Sequence, residues 1–344
     1  MKRQRTSALF ALAAAGVLAL AGCGEAGGGS STDGSATGGS TSPADNPSCA
    51  EPAGGGRVSI ATGNTTGVYY ILGGGIASVL TDNVEGTEAT AEATNASAEN
   101  IRRVCAGESD IGFSLADTAA DAVAGSAGFE GEPQSVRALA RIYSNYTQVF
   151  SRADAGVTSI ADFRDKVVST GSPNSGTEVI ALRLLEVNDL TPEDVKQQRL
   201  GLPESVQGMK DGSIDALIWS GGLPTGGITD LTTSLGEDVT MHALTEELPK
   251  MQEAHGDAYT EGTIPADTYG LGQDVETIAV PNLLLVSDAM PDALAHDLTQ
   301  AIFEHLDDLA QVHPEAKNIS LANATQTGSV PLHPGAAQYF DEAK

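Results

Sequence analysis

The sequence predicts an α/β fold of two lobes facing a cleft, with mainly parallel sheets. From Arg57 onward, short apolar runs alternate with stretches of helical periodicity, the pattern of strands joined by crossover helices. A strand that breaks into a glycine turn and feeds a helix occurs twice, through Gly63 and Gly67 and again through Gly171, Ser175 and Gly176. These units lie too far apart to be neighbours in one small motif. In open α/β sheets a ligand sits outside the strand carboxyl ends, so two such sheets naturally enclose a cleft. The chain is expected to cross near Asn145 and return near Glu276, giving a first lobe of 57–145 plus 277–344 and a second of 146–276. The rival is a single doubly wound domain with a nucleotide at the turn. Neither turn carries G-x-G-x-x-G, and no Gly-Lys-Ser/Thr follows.

The N-terminus reads as an address. Lys2, Arg3 and Arg5 precede an apolar run, Ala8 to Leu20, too short for a comfortable membrane span. The run ends in Leu20-Ala21-Gly22-Cys23, the lipobox pattern of bacterial lipoproteins. Residues 1–22 are therefore expected to be a signal peptide, with Cys23 lipidated and the protein anchored at the extracytoplasmic face of the membrane. Residues 24–48 hold no larger apolar side chain and cannot build a core. With its flanks (23–56) this segment is expected to be a flexible tether, reaching roughly 25–30 Å. Of the three cysteines, Cys23 takes lipid, leaving Cys49 and Cys105. Both lie near the start of strands of one sheet, in an oxidising compartment, so a disulfide is expected. The alternative is two separate thiols.

The folded part follows in order. Val58 to Ala61 is a strand, Thr62 to Gly67 a polar turn, and Tyr69, Leu72, Ile76, Val79 and Leu80 recur at helical spacing. Thr87 to Ala93 is the next strand, and Asn95 is placed to cap a helix running to Ala106. Asp110 to Leu115 is a strand, with Asp117 opening a helix. Val136 to Tyr143 and Thr147 to Arg152 are strands on either side of Ser144-Asn145-Tyr146. Ile160 to Phe163 is a short helix, Lys166 to Thr170 a strand, and Glu178 to Val187 a helix. Thr191-Pro192 marks a helix start. Val195 to Leu200, Ala216 to Trp219, Val239 to Leu244 and Thr277 to Val286 are strands. Met290 to Val312 reads as one long amphipathic helix.

Formal net charge is −28, a field that repels nucleic acid and anionic membrane surface. A small anion must then be held by local dipoles or a few placed cations. A strand feeding a helix through a Gly/Thr turn supplies such dipoles, because the first amides of the helix are free and its positive end faces the turn. The candidate ligand contacts are therefore Thr62, Gly63, Asn64, Tyr69, Tyr70 and Ser114 in the first lobe. In the second they are Ser172, Ser175, Gly176, Thr177 and Gly222. Each also has a plain structural role open to it, as a turn glycine, a helix cap or a core tyrosine. Arg141 and Arg152 flank the crossover within reach of a ligand carboxylate, and Asp117 is a candidate partner for an ammonium group. Surface pairing and helix-start roles compete for these three. The six histidines show no metal spacing, no G-x-S-x-G elbow appears and no acid/base pair is placed by motif. Neither an enzyme nor a cofactor is indicated.

Several stretches resemble the TAXI family of TRAP-transporter solute-binding proteins. They are Thr62-Gly63 through Tyr69-Tyr70 and Gly73-Gly74, then Ser175-Gly176-Thr177-Glu178. Next comes Asp211 to Ala216 followed by Gly221-Gly222-Leu223-Pro224, then Ile264 to Tyr269 with Thr277 to Val280. The last is Pro331-Leu332-His333-Pro334-Gly335-Ala336 with Tyr339. The resemblance covers residues 57–344, and its terminal stretch is the most specific. It implies a type II periplasmic-binding-protein fold closing on a small anionic ligand, glutamate or a related amino or organic acid. It also implies a TRAP-type membrane permease as partner, driven by an ion gradient without ATP. The family's turn, tyrosine pair and Ser-Gly-Thr map onto Thr62, Gly63, Tyr69, Tyr70, Ser175, Gly176 and Thr177. Where members often carry a small residue, this chain has Trp219, which alters the pocket shape on that side. His333, between two prolines, reads as structural. A binding lipoprotein of an ABC importer, a ligand sensor, or a secreted enzyme using the same cleft remain the other classes.

Overall fold

The computed structural model describes residues 49–52 and 56–344. The signal peptide, Cys23 and residues 24–48 of the tether lie outside them. Among the described residues, ten strands form one sheet in the order β2-β1-β3-β10-β4-β7-β5-β6, with β8 on β4 and β9 on β10. The strands are β1 (Arg57–Ala61), β2 (Glu88–Glu92), β3 (Ile111–Leu115), β4 (Val136–Arg152), β5 (Val167–Ser169), β6 (Lys196–Gln198), β7 (Ala216–Gly221), β8 (Val239–His242), β9 (Thr260–Ile264) and β10 (Val275–Ser287).

Two parallel trios form the halves of this sheet. β1 runs parallel to β2 and β3, and β5 runs parallel to β6 and β7. The long strands β4 and β10 lie antiparallel between the trios. β4 carries the chain from one half to the other: Tyr146 pairs with Ala279 of β10 and with Gly221 of β7.

Helices cover both faces of each half, as a two-sided apolar sheet requires. On one face of the first half lie α1 (Val68–Asn83), α9 (Asp292–Glu304), α10 (Leu306–Val312) and α11 (Pro334–Glu342), around Leu72, Ile76, Leu298 and Phe340. On its other face lie α2 (Ser97–Cys105) and α3 (Ala116–Ala124), around Ile101, Ala119 and Leu283. The second half buries α4 (Gly176–Glu186) and α7 (Glu247–His255) on one face. On its other face are α5 (Leu202–Asp211), α6 (Gly226–Leu235) and α8 (Ala266–Tyr269).

Four local differences from the sequence reading have physical causes. The two strands expected around Ser144-Asn145-Tyr146 are one, because Asn145 is buried and its amide is satisfied inside the sheet. Its Nδ2 donates to Ser220 O at 3.2 Å and its Oδ1 accepts from Asn282 Nδ2 at 2.9 Å. The long helix expected from Met290 breaks at His305, between α9 and α10. The break seats Leu309 and Val312 against Gly75 of α1, where an added Cβ would lie 3.2 Å from Leu309 Cδ2. Asn95 does not cap α2; the cap position is Ala96, and Asn95 Nδ2 donates to Glu99 at 2.7 Å instead. The helix start expected at Thr191-Pro192 is a single 3₁₀ turn, Pro192–Asp194.

Cys49 and Cys105 are joined by a disulfide. Cys49 is buried, its N–H donates to Asp288 Oδ1 at 3.0 Å, and Ala50 N–H donates to Cys105 O at 2.9 Å. These residues, which the sequence assigns to the tether, are thus packed on the first half. His333 is fully buried and caps α11: its Nδ1 accepts from Gly335 N–H at 3.2 Å, and its other ring nitrogen faces Met290 O at 3.1 Å. Among the described residues no group of His, Cys, Asp and Glu could hold a metal ion, and no helix is long and apolar enough to cross a membrane.

Candidate functional site

Three strand-to-helix turns open on one narrow cleft between the two halves of the sheet. The first turn follows β1. Gly67 N–H closes it on Asn64 O at 2.9 Å, and α1 starts at Val68 with no side-chain cap. Its first amides are therefore not consumed by a capping side chain. A close approach lies behind this turn: a Cβ at Gly73 would fall 2.4 Å from Thr62 Cγ2, so a glycine there lets α1 press onto the end of β1.

The second turn follows β2. Ala96, at the cap of α2, has φ 74° and ψ −157°, a region costing a residue with a Cβ about 1–3 kcal/mol. Such strain persists where the surroundings over-determine the backbone, and Ala96 lines the cleft. Ser97, beside it, accepts Leu115 N–H at 3.1 Å.

The third turn follows β5. Ser175 caps α4, its Oγ accepting Glu178 N–H at 3.0 Å. The Thr177 hydroxyl accepts Ser220 N–H at 3.2 Å and ties this turn to the end of β7. There Trp219, Ser220, Gly221 and Gly222 complete the wall. Trp219 Nε1 donates to Thr225 Oγ1 at 3.2 Å.

The electrostatics of the cleft come from dipoles. Among the described residues no Asp, Glu, Lys, Arg or His lines it, while the N-terminal ends of α1, α2 and α4 do, each helix end carrying about half a positive charge. Two buried hydroxyls on its wall, Tyr143 OH and Ser220 Oγ, have no hydrogen-bond partner. Tyr143 is 1% exposed and Ser220 5%, and a buried polar group left so is unusual enough to need a reason. Burial holds the Tyr143 phenol well above its ordinary pKa, with the neighbouring Tyr69 and Glu315 acting in the same direction. It is therefore a proton donor at any physiological pH. Burial also raises the Tyr69 phenol, against a hydrogen bond from Ser97. Beneath the cleft, Tyr69 OH donates to Asn282 Oδ1, and Asn282 Nδ2 donates to Tyr143 O at 3.1 Å and to Asn145.

Of the residues singled out from sequence, Gly63, Asn64, Tyr69, Ser175, Gly176, Thr177 and Gly222 line this one cleft. Thr62, Tyr70, Ser114 and Ser172 do not. The Thr62 hydroxyl is turned to Glu92 O, and that of Ser114 to Leu115 O. Tyr70 sits one position further round α1 than Tyr69 and is 36% exposed. Ser172 is buried behind Asn64, accepting its Nδ2 at 3.3 Å.

The charged candidates are engaged elsewhere. Arg152 pairs with Asp154 at 2.7 Å, and Arg141 donates to Gln326 at 3.3 Å. Asp117 accepts from Tyr259 OH at 2.7 Å and from Arg183 at 3.4 Å.

Sequence reading did not single out Asn95, Ala96, Ser97, Tyr143 and Ser220 as ligand contacts. A signal existed for the first three, since Asn95-Ala96-Ser97 is one more turn between a strand and a helix. None existed for Tyr143, which sits within an apolar strand.

The profile of the NMT1-like family matches residues 60–343. Among solved structures, a protein from Bordetella bronchiseptica RB50 superposes with a TM-score of 0.50 at 19% identity, over 83% of this chain and 82% of that one. The binding protein component of an ABC phosphonate transporter from Pseudomonas aeruginosa superposes with a TM-score of 0.51 at 11% identity, over 83% and 95%. At such identities the likeness is one of fold, and that fold is the α/β arrangement of periplasmic binding proteins.

Proposed function

The chain belongs to the NMT1-like family, and from that premise we propose that it is an extracytoplasmic solute-binding protein. It captures a small anionic solute by cleft closure and delivers it to a membrane transporter. The lobes are 57–145 plus 277–344 and 146–276, and the ligand sits where their helix N-termini meet. Filling both half-sites stabilises the closed form, and the transporter recognises that form. Cys23 anchors the protein by lipid to the outer face of the cell membrane. No catalytic role is proposed.

One observation carries this reading. The start of α1, which has no side-chain cap, the start of α2 and the unpartnered hydroxyls of Tyr143 and Ser220 all face one cleft that among the described residues has no charged side chain. Amides and hydroxyls arranged in this way suit an anion.

A TRAP-type permease as partner, and glutamate or a related acid as ligand, rest on the sequence resemblance to the TAXI family. An ABC importer is the second reading, favoured by the Pseudomonas aeruginosa protein of like fold.

The test is calorimetric titration of the full-chain protein, stripped of bound solute by unfolding and refolding. L-glutamate and a panel of small carboxylates, sulfonates and phosphonates are the titrants. Trp219 is the only tryptophan and lines the cleft, so its fluorescence reports the same event. Micromolar or tighter binding by a member of the panel supports the reading. Silence across the panel removes it.

A further inference from the structure

We infer that the cleft takes a small organic carboxylate or sulfonate whose remaining body is uncharged, and rejects ligands bearing a free ammonium group. This rests on the reading of the cleft as the solute site and narrows it to acids without an amine, against the glutamate that the TAXI resemblance implies.

The positive ends of α1, α2 and α4 face the cleft, which favours an anion and opposes a cation. The unpartnered hydroxyls of Tyr143 and Ser220 can each donate to an oxyanion. The other half of the argument is what an ammonium group would find. Among the described residues no carboxylate lines the cleft.

The buried carboxylates of Asp117 and Glu315 are already held. Asp117 Oδ2 takes Tyr259 OH at 2.7 Å and Arg183, while its Oδ1 takes Thr118 N–H at 2.6 Å. Glu315 lies behind Gly222, where an added Cβ would come within 2.9 Å of its Cγ. One of its oxygens accepts Leu223 N–H and the other Asn318 Nδ2 at 2.7 Å. Burial raises the Glu315 pKa, which weakens it further as a counter-charge.

Two of the wall's side-chain amide oxygens are also engaged: Asn64 Oδ1 takes Leu202 N–H at 2.6 Å and Asn145 Oδ1 takes Asn282. The apolar part of the wall is Val68, Leu115 and the Trp219 ring. An ammonium group enclosed there would meet hydroxyl oxygens but no counter-charge, with three positive helix ends against it, and a buried charge without a counter-charge is expensive.

The experiment titrates the stripped full-chain protein with matched pairs that differ only in the amine, read by Trp219 fluorescence and calorimetry. The pairs are butanoate and L-2-aminobutanoate, 4-methylpentanoate and L-leucine, and propane-1-sulfonate and 3-aminopropane-1-sulfonate. In every pair that binds, the amine-free member is expected to bind at least ~30-fold tighter. Tyr143→Phe and Ser220→Ala are each expected to weaken that binding ~10-fold, since a hydrogen bond to a charged group is lost. Neither change removes a bond of the unliganded fold, so thermal midpoints should hold. An amino member binding as tightly as its partner, or more so, overturns the inference and leaves the solute-binding reading intact. Silence from both members of every pair overturns the inference, and only silence across the wider panel overturns the solute-binding reading as well.

Discussion

Asn64 Oδ1 accepts the backbone N–H of Leu202 at 2.6 Å, so a side chain from the turn after β1 caps a helix of the opposite half. Helix α5 has no side-chain cap of its own. Asn64 also donates to Ser172 at 3.3 Å. Both bonds cross from one half to the other, so under the proposed cleft closure they hold the closed form. Asn64→Ala should weaken solute binding ~5-fold, the worth of about 1 kcal/mol for one cap. The measurement is a titration beside a thermal melt. Unchanged affinity would show that the contact contributes nothing to closure.

Gly176 opens α4 at the seam between the halves. A Cβ there would come within 2.5 Å of both Leu115 Cδ1 and Ser97 Oγ, which belong to the other half. Gly176→Ala is compatible with the helix itself, so the fold should survive. Closure should be obstructed, and binding should fall at least ~10-fold, from the usual cost of overpacking. A variant that binds as wild type would place the seam elsewhere.

Arg183 of α4 sits in a buried cluster with Asp117 and Asp121 of α3 and with Tyr259, whose hydroxyl is 2.7 Å away. Burial works to lower the Arg183 pKa, but Tyr259, Asp117 and Asp121 outweigh it and hold it above its ordinary value. Burial likewise raises the Asp121 carboxyl, against Arg183. Arg183→Met would strand two carboxylates and should cost about 3–5 kcal/mol. Chemical denaturation measures this, and adding Asp117→Asn should recover part of the loss. A larger loss in the double variant would contradict the account.

The disulfide between Cys49 and Cys105 spans 56 residues of sequence. Closing a loop of that size in the unfolded chain is worth about 4 kcal/mol on the chain-entropy account. Cys49→Ser should therefore lower the thermal midpoint clearly, and a reductant should lower it in wild type but not in the variant. Identical melts with and without reductant would mean that the bond contributes no stability.

His313 and His333 give the stability a pH dependence. Each precedes a proline and accepts the N–H two residues on, from Glu315 and Gly335. Burial lowers both pKa values, while the unfolded imidazoles titrate near ~6.5. Below that value the unfolded chain takes up protons that the native form refuses, so stability falls as pH falls towards the depressed native values. His296, raised by Asp297 and then Glu342, acts in the opposite sense but is paired at the surface. The thermal midpoint should drop from about pH 7.5 to about pH 6, and less so in His313→Gln. A midpoint that rises on acidification over this range would contradict the assignment.

Much of the architecture was legible because its signals are local. The alternation from Val58 to Val286 and the glycine turns at Gly63 and Gly176 lie within short windows, where periodicity and turn chemistry act. The polar dip at Asn145 misled for the same reason: a window sees an amide among apolar residues and reads a break. It cannot see Ser220 and Asn282, from distant strands, satisfying that amide inside the sheet. The long helix from Met290 failed similarly, since its pattern continues through His305 while the packing of Leu309 and Val312 on α1 asks for a bend.

The sequence by itself determined the α/β class, the strong negative charge, and the turns that leave helix amides free. These follow from composition and from spacing along the chain. Only the tertiary structure decided which of those turns share a cleft. Pairing of β4 with β10 and β7 brings Tyr143 and Ser220 to the wall built by Gly63, Ser97 and Gly176. The tertiary structure also decided that Tyr69 faces the cleft while Tyr70 faces solvent, because adjacent helix positions point about 100° apart. Whether a hydroxyl is spent or free depends on neighbours far away in sequence. That is why Thr62 and Ser114 are turned to backbone carbonyls, and Tyr143 and Ser220 are not.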